Sequence, residues 1–82
     1  EEAIYKDARS RLQEWSQANL NRTPAYRTVS ATGPDHEKEF IVEVLIGERV
    51  VGRGVGRSKQ IASQAAARDA LRLVEQGELT AS

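Results

Sequence analysis

The sequence predicts an α+β fold of order α-β-β-β-α, with two helices packed on one face of a three-stranded antiparallel sheet. Three observations carry that prediction. A stripe of apolar residues at helical spacing opens the chain, an alternating apolar segment occupies its middle, and a long alanine-lined stretch closes it.

The first helix is expected from about Tyr5 to Ala18. Ile4, Ala8, Leu12 and Trp15 recur at helical spacing and form an apolar stripe, while Ser10, Gln13, Glu14 and Gln17 share a polar face. Asn19, Asn21, Thr23 and Pro24 break it. A strand follows from about Ala25 to Ala31, then a loop, Thr32-Gly33-Pro34-Asp35-His36, with strong turn chemistry. From Glu39 to Ile46 the residues Phe40, Val42, Val44 and Ile46 alternate with Ile41, Glu43 and Leu45, as in a sheet with one covered face. Gly47-Glu48 is a tight connection to a third strand, Arg49 to Gly54. The closing helix runs from about Ser58, its expected N-cap, to Gln76, with Gly77 as its stop. Ala62, Ala66, Ala70 and Leu73 line one face, with Ala65 and Val74 beside it. Arg68, Arg72, Glu75 and Gln76 point away. Alanines let this helix sit close to the sheet it covers.

With 82 residues there is room for one domain, which buries only about 60% of its unfolded surface. Residues 7–76 are expected to form it, residues 1–6 to be a linker remnant and residues 77–82 a tail. Both ends read as cut points in a longer protein. There is no cysteine, so disulfides and thiolate metal sites are excluded. No apolar run approaches the roughly 20 residues of a membrane helix, and Glu1-Glu2 does not open a secretory signal. The expected partners include no membrane, and the expected location is the cytoplasm.

Net charge is zero, which on its own speaks against nucleic acid. Its distribution says more. Arg49, Arg53, Arg57 and Lys59 fall within eleven residues that contain no acid. The stretch is a basic patch or simply a solvated charged segment. Catalysis has little to work with. His36, the one histidine, lies in a loop without a nucleophile-elbow sequence, and Asp35, Glu37 and Glu39 lead into a strand that offers no protected pocket. Neither catalytic nor metal-ligating residues are assigned. A self-contained hydrolase using His36 and these acids is the least favoured reading.

Gly52-Arg53-Gly54-Val55-Gly56-Arg57-Ser58-Lys59 fails both the dinucleotide fingerprint and the P-loop. It still combines glycines, a helix N-terminus and flanking cations. That is an anion site, or else glycines that let a strand exit sharply beside solubilising cations. The polar face of the first helix suits sugar hydroxyls better than phosphates. The loop from Gly33 to His36 exposes backbone carbonyls.

The element order, together with Arg11-Leu12-Gln13-Glu14-Trp15, Gly33-Pro34-Asp35-His36, Phe40-Ile41-Val42-Glu43-Val44 and Gly54-Val55-Gly56-Arg57-Ser58-Lys59 followed by Gln64-Ala65-Ala66-Ala67, resembles the double-stranded-RNA-binding domain over about residues 7 to 75. More narrowly, it is similar to the C-terminal domain of bacterial ribonuclease III. The resemblance implies three RNA-facing regions. Ser10, Gln13, Glu14 and Gln17 would meet one minor groove and its 2′-hydroxyls. Gly33, Pro34, Asp35 and His36 would enter the next minor groove. Arg57, Ser58 and Lys59, extended by Gln60 and Ser63, would contact phosphates across the major groove between, over about 16 base pairs. The family's second-helix motif is often Lys-Lys-x-Ala-Lys, and here it reads Lys59-Gln60-Ile61-Ala62-Ser63. Gln60 and Ser63 can bond a phosphate without neutralising it, so binding is expected to be modest, with a salt slope of about −2 to −3.

The resemblance also implies no cofactor in this chain. Magnesium would belong to a nuclease domain whose acidic helix has no counterpart in these residues. The chain itself would be a non-enzymatic, monomeric holder of duplex RNA within a homodimeric parent. The alternative is a protein-interaction or dimerisation module of the same fold, motivated by the neutral charge and the two missing lysines.

Overall fold

The computed structural model describes residues 7–78. Its elements are α1 (Ala8–Leu20), β1 (Ala25–Thr32), a single 3-10 turn (Asp35–Glu37), β2 (Glu39–Ile46), β3 (Arg49–Gly56) and α2 (Lys59–Glu75). The strands form one antiparallel sheet in the order β1-β2-β3. The expected linker residues 1–6, with Ile4 and Tyr5, and residues 79–82 lie outside the described part.

α1 begins at Ala8, three residues later than the apolar stripe suggested. Asp7 is its N-cap: extended in backbone, it accepts the N–H of Ser10 on its carboxylate at 2.8 Å. The helix also outlasts its expected end. Asn19 stays helical because its side-chain amide donates to the Trp15 carbonyl at 2.9 Å. The stop comes at Asn21, in the left-handed region with φ 55°. Beneath it, the fully buried Ser16 hydroxyl donates to the Arg22 carbonyl at 2.6 Å and ties down the exit.

β2 keeps the bounds and alternation read from the sequence. Val42, Val44 and Ile46 are buried on one face. Gly47, at φ +66°, supplies the positive φ that a two-residue hairpin loop needs. Each edge strand carries one extra residue: Val29 in β1, between Thr28 and Ser30, and Val51 in β3, between Val50 and Gly52. β3 runs to Gly56, two residues beyond expectation.

Why it does so is visible in its glycines. Gly52, Gly54 and Gly56 pair with Val44, Val42 and Phe40, so all three face the helices. A Cβ on Gly52 would fall 2.9 Å from the Ala70 nitrogen. One on Gly54 would collide with the Ala66 nitrogen and the Ala62 carbonyl oxygen. One on Gly56 would fall 2.7 Å from the Ala62 nitrogen. The glycines therefore have a packing role that their spacing alone does not show. They are half of a seam, and Ala62, Ala66 and Ala70 of α2 are the other half. At Gly52 and Gly54 the strand meets the α2 backbone directly, and at Gly56 the Ile61 side chain also closes on it.

α2 lies across β3 and β2, and α1 packs along α2. Leu12 of α1 closes the core with Val42, Val44, Val51 and the α2 alanines. α2 starts as expected, with Ser58 accepting the Ile61 N–H on its hydroxyl at 3.1 Å. It ends at Glu75, and beyond the Gln76 cap Gly77, φ +79°, and Glu78 donate to the Val74 and Leu73 carbonyls.

Candidate nucleic-acid interface

Two placements fix where the polar regions lie. The Ala8 amide lies beside Gln64, whereas Trp15 shares a groove with Leu71 and Val74. The helices thus run the same way, with both N-termini together. Thr32 pairs with Glu39 and Gly56 pairs with Phe40, so the β1–β2 loop and the start of α2 leave the same end of the sheet.

On α1, Ser10, Gln13, Glu14 and Gln17 are all exposed and line one shallow depression. The Gln17 amide donates to the Thr23 hydroxyl, which fixes its orientation from outside the helix. The amides at the head of α1 are taken: Ala8 and Arg9 donate to the Gln64 side-chain oxygen at 3.0 and 3.4 Å, and Ser10 to Asp7. The Ser10 amide, and then the neighbouring Gln64 side chain, hold the Asp7 carboxyl below the usual carboxylate range. Gln64 had been legible only as part of a motif, and nothing local in the sequence points to its partners 56 residues away.

In the β1–β2 loop, Gly33 takes φ +102°, and Pro34 accepts the Glu37 N–H at 2.9 Å to close the 3-10 turn. Gly33, Pro34, Asp35 and His36 are all exposed. Among the described residues no group of three His, Asp or Glu side chains converges as metal ligands would.

At the start of α2, Arg57, Lys59 and Gln60 are exposed, and the Ser58 hydroxyl is occupied as the cap. Ser63 differs from expectation. It is 8% exposed, because its position on the helix joins Ala67 and Ala70 in the core-facing stripe. Ile61, 52% exposed, is the apolar side chain that stands among these polar ones. The cation run from Arg49 to Lys59 also divides. Arg49 sits at the hairpin end, opposite α2's start, and the Arg53 amide is tied at 3.0 Å to Asp69, which pairs with Arg72. Only Arg57 and Lys59 flank the helix start.

A two-layer domain with exposed polar groups along α1, on the β1–β2 loop and at the start of α2 has the architecture of a binding module. The family model described as the double-stranded RNA binding motif matches residues 8–74, and the chain belongs to that family. It is 42% identical over 74 residues to a ribonuclease 3 of Nitratiruptor, covering 90% of this chain and 33% of that protein. To a ribonuclease 3 of Roseiflexus it is 51% identical over 71 residues, covering 87% and 30%. The chain thus spans about a third of the length of these relatives. Among solved structures, Arabidopsis HYL1 matches with a TM-score of 0.71 at 32% identity, over 83% of this chain and 96% of that one. Dicer from Pichia stipitis matches with a TM-score of 0.66 at 32% identity, over 79% and 31%.

Proposed function

We propose that this domain binds double-stranded RNA by shape, holding the substrate for a ribonuclease III of which it is one part. The observation that carries the reading is that three separate exposed polar regions, on α1, on the β1–β2 loop and at the start of α2, stand on a domain of this family. In it, Ser10, Gln13, Glu14 and Gln17 bond 2′-hydroxyls in one minor groove, and the Gly33–His36 turn enters the next. Arg57, Lys59 and Gln60 take phosphates between them. Ser63 contributes little in this arrangement, since its side chain is core-facing. Two cations at the start of α2 give a salt slope of about −2.

Strand cutting, its magnesium, a homodimeric assembly and a cytoplasmic setting belong, on this reading, to the whole protein. The domain's share is to raise the duplex's local concentration at a distant active site. The test compares an RNA duplex of about 20 base pairs with the matching DNA duplex at two salt concentrations. Preference for RNA, weakening with salt, is expected. Equal binding to both, or to neither, sinks the proposal.

One observation favours a second reading, a protein-interaction module. The sheet face away from the helices carries exposed Val50 and Val55 beside half-buried Leu45 and Ile41, their cross-strand partners. It predicts concentration-dependent self-association and indifference of the chain's binding to Lys59→Ala. Sedimentation at increasing concentration checks the first point.

A further inference from the structure

Arg9 is exposed in the first turn of α1, where the Asp7 carboxylate at the N-cap offsets the unfavourable helix dipole for a cation. Its guanidinium lies 4.8 Å from the centroid of the Tyr26 ring. Together with Ser10, Gln13, Thr23 and Tyr26 it lines a depression beside α1. That depression adjoins the one formed by the polar face of the helix, with Ser10 and Gln13 on the border between them. The Tyr26 hydroxyl is shut off from water, and Arg9 is the charged group that acts on it most strongly. Asp7 also borders the depression, but its carboxylate is engaged by the Ser10 amide.

Stacking on Tyr26 pre-orders the guanidinium, so less side-chain freedom is lost when it bonds an anion. The neighbouring polar face carries no cation of its own: Ser10, Gln13 and Gln17 are neutral and Glu14 is acidic. A minor groove is walled on both sides by phosphates.

We propose that Arg9, held on Tyr26, is a second phosphate-binding point of this domain, taking a backbone phosphodiester at the edge of the minor groove that α1 meets. This deepens the duplex-binding reading and rests on it. It raises the number of phosphates neutralised from two, at Arg57 and Lys59, to three.

The test measures the salt dependence of binding to an RNA duplex for the unmodified domain and for Arg9→Gln, Arg9→Lys and Lys59→Gln, with thermal melts to verify folding. Arg9→Gln is expected to make the slope shallower by about 0.9 and weaken binding by about eightfold near 0.1 M salt. Arg9→Lys should keep the slope. Lys59→Gln should lower it by the same step as Arg9→Gln, independently. A slope unchanged by Arg9→Gln while Lys59→Gln lowers it overturns the Arg9 site and leaves the duplex-binding reading standing. An RNA duplex that the unmodified domain does not bind overturns both.

Discussion

The side-chain oxygen of Gln64 accepts a 3.0 Å hydrogen bond from the backbone N–H of Ala8, joining the interior of α2 to the first residue of α1. The same oxygen takes the Arg9 amide at 3.4 Å. A helix start normally finds such partners in its own cap. Here one helix caps another, and the bond sets where the polar face of α1 sits relative to the start of α2.

Gln64→Leu should therefore cost about 1–2 kcal/mol, the price of leaving part-buried amides without an acceptor. Amide hydrogen exchange should quicken at Ala8 and Arg9 beyond any global change. Exchange at these two amides that only follows the global loss would assign Gln64 to packing alone.

Gly54→Ala should be far more harmful than its one methyl suggests. The added Cβ meets backbone, the Ala66 nitrogen and the Ala62 oxygen, which no rotamer change can move aside. A loss of at least about 3 kcal/mol is expected, a large share of the stability of so small a domain. Gly77→Ala is the control: nothing lies within 4 Å, and only the positive φ of +79° is strained, worth about 1 kcal/mol. Urea unfolding of the two variants separates steric from conformational cost.

Gln60→Lys should tighten binding to duplex RNA and steepen the salt slope by about 0.9 without altering stability, since Gln60 is exposed at the start of α2. Ser63→Lys should not behave likewise. Its side chain leaves the core stripe only by reaching around α2, so a drop in melting temperature should accompany any gain.

Acid should loosen α1 through Asp7. The folded carboxyl is held below its ordinary value, chiefly by the Ser10 amide. A depressed acid stabilises the fold above its unfolded pKa and loses that contribution as pH falls through the folded one. Melting temperature should therefore drop more steeply for the unmodified domain than for Asp7→Asn between about pH 5 and pH 2. Asparagine still caps but has no such proton to take up. Parallel pH profiles would show the cap to be unimportant.

What could be read in advance follows the range of the interaction. The alternation from Phe40 to Ile46 and the caps Ser58 and Gly77 are local, and they stand as read. The stripe Ser63-Ala67-Ala70 was equally local, but the motif's expectation of a phosphate contact at Ser63 obscured it. Asp7 was missed as a cap because Ile4 extends the apolar spacing past it. The packing role of the β3 glycines was missed for a different reason. A glycine has no side chain to reveal its facing, and its role exists only beside Ala62, Ala66 and Ala70 on another element. Gln64 and the Arg9–Tyr26 stack likewise join residues far apart in sequence. The polar residues of the site were legible by type, and their placement on the fold was not.

The tie between Asp69 and the Arg53 amide has a consequence for crowding. A sheet of three strands has two open borders, and each invites a neighbour's strand to add on. On β3 the helix lays a carboxylate across the border and occupies the donor at Arg53. On β1 the extra residue Val29 interrupts the ladder midway. Copies of the domain brought close together therefore meet borders poorly suited to zipping together.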